Sequence, residues 1–324
     1  VREADLTLQN RIHNERNSAE KLGIYDGALG ERGARLLQEV SILSGQENRL
    51  LQSSASSLKI YAQCPLKFFY RYLLNIGAPS VWQDEPPGTQ GGLLIHRILE
   101  KFWKQCSLNL SVENQTALWN LLQRISLKEI EAEPLRPLLR EVEARRLLGR
   151  DENVPGGMLG AMLLAEIAQS GGEEKKLAFA APLLPLSQSG ISLPPEFRQG
   201  IELSLTLPLV EMKIVARIDR VVASGDGDIL AIIDYKTESP TGLPTFSHAD
   251  WGFDFQLPVY LLATRAQLQN WRDSAGESTP KPNLAAAFFA LRDGTWMKGF
   301  GEKNTLGRNQ TKQGPGAICH PQGK

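Results

Sequence analysis

At 324 residues the chain is long enough to bury a sizeable core, in one domain or two. Its 36 Lys and Arg balance 36 Asp and Glu, which excludes a globally basic nucleic-acid binder but leaves room for a local basic patch. No apolar run approaches a bilayer span, and the cysteines Cys64, Cys106 and Cys319 are scattered and odd in number, which argues against a disulfide framework and for a reducing cytoplasm.

Taken in chain order, the first residues, Val1 to Asp5, are polar and do not read as a signal peptide. The missing initiator Met reads as a fragment or a processed chain. Residues 1–52 are weakly periodic, with turn signals at Tyr25-Asp26-Gly27, Gly30 and Gly33. They read as a linker or the tail of a preceding domain. The Ser53–Ser57 run is a helix start. It leads into LKIYAQCPLKFFYRYLL, where Pro65 marks a boundary or a new first turn. The aromatics there, with Lys67 and Arg71 between them, fit either a core helix or one bordering a nucleic-acid channel. Residues 75–90 read as a loop. From Gly91-Gly92 a helix opens, with His96 and Glu100 one turn apart on a shared face. Residues 107–149 are helical in pattern, broken by Pro134 and Pro137, and Met158–Gln169 is a short apolar helix. Gly171–Lys176 reads as an exposed link.

From Leu177 the texture becomes strand-like. Residues 201–207 alternate strictly, which places Glu202, Ser204 and Thr206 on a polar face. Residues 210–218 form a second strand leading into Asp219, and residues 229–235 a third, containing Asp234. Alternation puts Asp234 and Lys236 on one face. If the last two strands pair as a hairpin through Ser224–Asp228, Asp219 lies beside Asp234. Two carboxylates and an ammonium then converge at a strand end. The cluster is either a structural set of ion pairs or a site for a hard divalent cation such as Mg²⁺ or Mn²⁺. Residues 237–250 read as a loop. Trp251–Leu268 reads as a loop entering a helix, with Gln256 and Tyr260 one turn apart. Residues 284–291 read as a buried strand, and residues 293–324 as a disordered or truncated tail.

This order of motifs resembles the PD-(D/E)xK nuclease superfamily. The residues that carry the resemblance are the GGLLIHRILE helix with His96, Ile218-Asp219-Arg220, Asp234-Tyr235-Lys236-Thr237, and Gln256 with Tyr260. More narrowly they resemble its RecB-like branch and the C-terminal nuclease domain of AddB-type helicase–nuclease proteins. Cys64-Pro65 and Phe68-Phe69-Tyr70 fit the same branch. The resemblance implies a restriction-endonuclease-like α/β fold, a mixed central sheet flanked by helices, with a helical N-terminal section and insertion. On this reading residues 53–292 are the nuclease domain, with a helical insertion near 107–176, and residues 1–52 trail a helicase-like domain.

By the same resemblance His96, Asp219, Asp234 and the Tyr235 carbonyl bind Mg²⁺ or Mn²⁺. Lys236 positions the attacking water, and Gln256 and Tyr260 line the site. The implied activity is a metal-dependent deoxyribonuclease, an exonuclease of DNA recombination and repair. It would act on single-stranded DNA or duplex ends beside a helicase partner, in the cytoplasm and not at a membrane. The alternative is a nuclease-fold domain with weak catalysis that binds DNA or docks a helicase. A small-molecule hydrolase is the third class, and it predicts no DNA affinity. An iron–sulfur cluster, which AddB-type members hold with four cysteines, is not expected, since Cys64 matches the first position and Cys319 stands alone. No Walker A pattern is present, so ATP-driven unwinding is expected from elsewhere.

Overall fold

The computed structural model describes residues 51–74, 76, 88–151, 153–171, 179–189, 191–197, 200–209, 212–237, 255–275, 281–297, 299–302 and 305–306, with residues 30, 31 and 35. Most of the N-terminal linker, the 237–250 loop beyond residue 237, most of the 171–176 link and the tail beyond 306 lie outside the described residues.

The elements in chain order are β1 (Leu51–Ser54), α1 (Ala55–Gln63), α2 (Pro65–Phe68) and, after a π turn at Phe69–Leu73, α3 (Gly88–Gln105). The helices α4 (Gln115–Ala132), α5 (Pro137–Leu148) and α6 (Gly157–Ser170) follow, then strands β2 (Leu183–Pro185), β3 (Ile201–Leu209), β4 (Met212–Ser224) and β5 (Ile229–Lys236). Helix α7 (Gln256–Ala275) and strands β6 (Asn283–Ala290), β7 (Thr295–Trp296) and β8 (Phe300–Gly301) close the chain. Two compact units emerge, one of residues 1–81, 208–215 and 250–256, the other of the remainder.

In the smaller unit the serine run folds as a reciprocal cap. Ser54 accepts the Ser57 N–H at 3.2 Å, and the Ser57 hydroxyl accepts the Ser54 N–H at 2.8 Å. Strand β1, unforeseen in the sequence, pairs in parallel with Met212–Val215. The break at Cys64-Pro65 is real, with Pro65 in the first turn of α2 and Cys64 Sγ accepting the Lys67 N–H. The aromatic run is not a core helix, because Tyr61, Tyr70 and Tyr72 are 52%, 46% and 41% exposed. Tyr61 stacks edge-on against Phe68, and Phe68 leans on Tyr72.

In the larger unit the helices supply one hydrophobic layer. Leu94, Ile95, Ile98, Leu99 and Phe102 recur on one face of α3 and are buried with Leu118, Trp119 and Leu122 of α4 and Leu159, Met162 and Leu163 of α6. Each such side chain contributes about 1.5–3 kcal/mol by leaving water. At the flank of this layer Glu129 of α4 accepts Arg97 at 3.1 Å and Lys101 at 2.6 Å, fixing α3 against α4.

The sheet of this unit is mixed. β4 pairs antiparallel with β5 from Arg220–Ile233 to Ala223–Leu230, and β5 runs parallel to β6 over eight residue pairs. β2 pairs antiparallel with β4, and β7 and β8 pair antiparallel with β6. The parallel β5–β6 pair needs a crossover, which contains α7. Both strands are buried on both faces, which explains their continuous apolar runs. The β4–β5 turn has the chemistry of its sequence. Asp226 accepts the Asp228 N–H at 3.1 Å, Ser224 Oγ accepts the Ile229 N–H at 2.9 Å, and Gly227 takes φ of 77°.

The described residues among 293–306 pack against the sheet and do not open a disordered tail. Trp296 stacks edge-on against Phe289 and Phe179, Leu306 bridges to Phe179, and Thr305 is buried. Arg265 of α7 donates to the Pro282 carbonyl at 3.3 Å and pairs with Glu302. The expected helix start at Gly91-Gly92 lies one turn later than the observed start at Gly88. The short closing strands carry no periodic signal of their own and are held by contacts with β6 and Phe179.

Candidate functional site

The site forms where the β4–β5 ladder ends. The last paired residues are Arg220 and Ile233. Continuing the register by one places Asp219 opposite Asp234, as the hairpin reading requires. The strands do not continue the ladder there. Instead the Asp219 carboxylate takes the next backbone donor, the Tyr235 N–H, at 2.9 Å. An accepted N–H holds the carboxylate in place without neutralising it.

Asp234 is buried, at 2% exposure, and Lys236 Nζ lies 2.6 Å from its Oδ2. The two side chains share a face, as alternation predicts. Burial, opposed by Lys236 and reinforced by the nearby Asp219 charge, pushes the Asp234 carboxyl up to about 6.

His96, on the second turn of the described α3 side chains, reaches the same place. Its Nδ1 lies 3.2 Å from Asp219 Oδ1. Burial works against protonation of His96, but the Asp219 hydrogen bond and the charges of Asp219 and Asp234 outweigh it, and its pKa is raised. A third carboxylate joins them. Ligand atoms of His96, Glu202 and Asp219 all lie within 4.8 Å of one another. Glu202 also accepts from Arg217 Nε at 2.7 Å. An imidazole nitrogen with two carboxylate oxygens at this spacing fits Mg²⁺ or Mn²⁺, which prefer hard oxygen donors and tolerate a nitrogen.

Beneath the site lies a buried polar network that the sequence reading did not anticipate. Arg220 Nη1 is 2.7 Å from Glu166 Oε1 of α6 and donates to the Tyr235 hydroxyl at 3.1 Å. That hydroxyl donates to Glu166 at 3.0 Å, and burial pushes its pKa up, so it stays a donor. The Arg220 guanidinium lies over the Trp103 ring at 3.4 Å. Asp219 and Arg220 are neighbours, as are Asp234 and Tyr235. The network thus anchors the backbone that presents both carboxylates.

Of the residues expected from sequence, His96, Asp219, Asp234 and Lys236 come together. Tyr235 contributes its N–H to Asp219 and sends its side chain to Arg220 and Glu166. Gln256 opens α7 and Tyr260, one turn later, is 4% exposed. Cys64 is half-buried in the smaller unit, and Cys319 lies outside the described residues. Glu202 was read only as part of a polar strand face.

A mixed sheet flanked by helices, presenting one carboxylate opposite an Asp-x-Lys strand end, defines a restriction-endonuclease-like α/β protein. A family model described as the PD-(D/E)XK nuclease superfamily matches residues 52–311, and the chain belongs to that superfamily. Among curated proteins it is similar to an ATP-dependent helicase/deoxyribonuclease component of Clostridium tetani (strain Massachusetts / E88), 26% identical over 235 residues. The match takes in 69% of this chain and 18% of that relative, so the chain spans under a fifth of its length. No helix among the described residues is long and apolar enough to cross a membrane.

Proposed function

We propose that the chain is a DNA nuclease module of a helicase–nuclease system, cleaving phosphodiester bonds with a divalent cation. One observation carries the reading. Asp219 and Asp234 meet at the end of a strand pair, with Lys236 on Asp234 and His96 on Asp219. The membership in a nuclease superfamily supports it, as does the helicase/deoxyribonuclease name of the relative. Exonucleolytic action in recombination and repair, on single-stranded DNA or duplex ends, is part of the proposal, as is a helicase partner in the cytoplasm.

His96, Asp219, Asp234 and the Tyr235 carbonyl would hold Mg²⁺ or Mn²⁺. Bound there, the ion would supply positive charge to the scissile phosphate and acidify a water. The chain's own groups prepare that step. The Tyr235 N–H fixes Asp219 in one orientation. The burial of Asp234 makes its ionised form costly until positive charge arrives. Lys236 is held at the carboxylate by its ion pair, and an ammonium with three N–H donors can serve a water or a phosphate oxygen from that position. Gln256 and Tyr260 are proposed to line the site and steady DNA or the lysine.

The test uses the purified chain with end-labelled linear single-stranded and duplex DNA. Cleavage is expected with Mg²⁺ or Mn²⁺ and not with EDTA. Lys236→Ala should slow it about 10²–10³-fold, the usual loss for one charge-stabilising donor. A chain that binds DNA in a salt-dependent way but cuts neither substrate would be a docking module instead. A chain that does neither would overturn both.

A further inference from the structure

Glu202 has a conformation that its strand does not explain. Among the described residues it is the one non-glycine residue with positive φ, at 48°. Leu203 and Leu205 are buried while Ser204 and Thr206 are exposed, as strict alternation requires. Glu202 belongs by alternation with the exposed pair. Its side chain is instead only 12% exposed. Gly200, two residues earlier, is left-handed as well. It takes φ of 64°, its carbonyl accepts the Val221 N–H at 2.5 Å, and a Cβ there would run into the Val221 carbonyl oxygen.

Left-handed backbone at a non-glycine residue persists only where its surroundings over-determine it, and such residues cluster at functional sites. The visible partner of Glu202 is Arg217, which is 68% exposed. An ion pair with one partner mostly in solvent is too weak to account for the conformation. What the position does offer is a carboxylate oxygen within 4.8 Å of ligand atoms on His96 and Asp219. Arg217 carries its guanidinium to that same carboxylate and is drawn as well by the charge of Asp219.

We propose that Glu202 is a further side-chain ligand of the divalent cation, and that Arg217 is the internal counter-charge the cation displaces. This rests on the metal-site reading above and adds to it a residue from a third strand. Because Arg217 is mostly in solvent, it can swing away from Glu202 without leaving an unpaired buried charge. The site then holds a cation of its own until the metal replaces it.

The test is Mn²⁺ binding to the whole chain, followed by calorimetry and by the loss of free Mn²⁺ signal in electron paramagnetic resonance. Glu202→Gln should weaken Mn²⁺ about 10- to 100-fold, the range for groups that tune a metal site. Arg217→Gln should tighten it several-fold, since a competitor for Glu202 is gone. The two variants thus move affinity in opposite directions, which misfolding does not produce. Asp219→Asn should abolish binding. If Glu202→Gln binds Mn²⁺ within twofold of wild type while Asp219→Asn does not bind it, Glu202 is no ligand and the site reading stands. Arg217→Gln binding no tighter than wild type overturns the displacement. A wild-type chain that binds no Mn²⁺ overturns the site reading, and this inference with it.

Discussion

Replacing Asp234 by Asn should stabilise the metal-free protein while abolishing cleavage. Burial raises this carboxyl from 3.8 to about 6. The folded state therefore binds the Asp234 proton more tightly than the unfolded state does. Between those two pH values the folded state holds more protons, so stability falls as pH rises through the window. The rise is roughly two pH units, and at about 1.4 kcal/mol per unit the ionised carboxylate costs about 3 kcal/mol at pH 8. Asn mimics the neutral acid in shape and never ionises. Its advantage should be about 3 kcal/mol at pH 8, about half that at pH 5, and should vanish below about pH 3.8. Urea unfolding in EDTA reads it directly, as a midpoint shift of about 1 M for slopes of 2–3 kcal/mol per M. Added Mn²⁺ supplies a second check. At 100 times its dissociation constant an ion that binds only the folded wild type restores about 2.7 kcal/mol. Wild type should then nearly match the variant. If Asp234→Asn is no more stable than wild type at pH 8 without metal, Asp234 is not held ionised against its environment, and the electrostatic account of the site is wrong.

Two other substitutions test the frame rather than the chemistry. Arg220→Met leaves Glu166 charged and buried, and should destabilise by about 3–5 kcal/mol. Adding Glu166→Leu should recover most of that loss in thermal or urea melts, because the two charges are then absent together. Gly200→Ala places a Cβ against the Val221 carbonyl at a position with φ of 64°. It should cost about 1–3 kcal/mol and weaken Mn²⁺ binding, because Glu202 loses its approach. A Gly200→Ala chain with unchanged Mn²⁺ affinity would separate the backbone turn from the site.

Much of the site was legible in the sequence because it depends on short-range rules. Ser224–Asp228 carries side chains that close a turn on themselves, and two apolar runs flank it. Pairing them puts Asp219 at Asp234, and alternation then puts Lys236 with Asp234. What escaped depends on partners distant in sequence. Glu202 sits in a strictly alternating stretch, and only the fold brings it beside His96 and Asp219, far away in sequence. β1 is four polar-leaning residues that become a strand because Met212–Val215 lies alongside. β7 and β8 are two residues each, held by β6 and by Trp296 against Phe289. The buried network did leave a trace. Glu166 is the one charged residue in a mostly apolar helix, and Arg220 is followed by the apolar Val221, Val222 and Ala223. A buried charge in each of two elements is the mark of a pair.

The two polar clusters at this sheet end are opposites in their balance. Behind the strands, Arg220, Glu166 and Tyr235 satisfy one another, and Trp103 covers the guanidinium. Nothing there calls for a further ion. At the ladder's end Asp219, Asp234 and Glu202 face Lys236, Arg217 and a His96 with its pKa raised. Those three cationic groups are the ones that can yield. His96 can release a proton, Arg217 is mostly in solvent, and Lys236 carries its charge on a flexible four-carbon stem. The carboxylates are fixed in place by strand and backbone contacts, whereas the cationic groups around them can be displaced. A rigid, self-satisfied layer beneath a layer short of fixed positive charge keeps the carboxylates from relaxing away from one another. On the proposed metal reading, their mutual repulsion would be spent as affinity for a divalent cation.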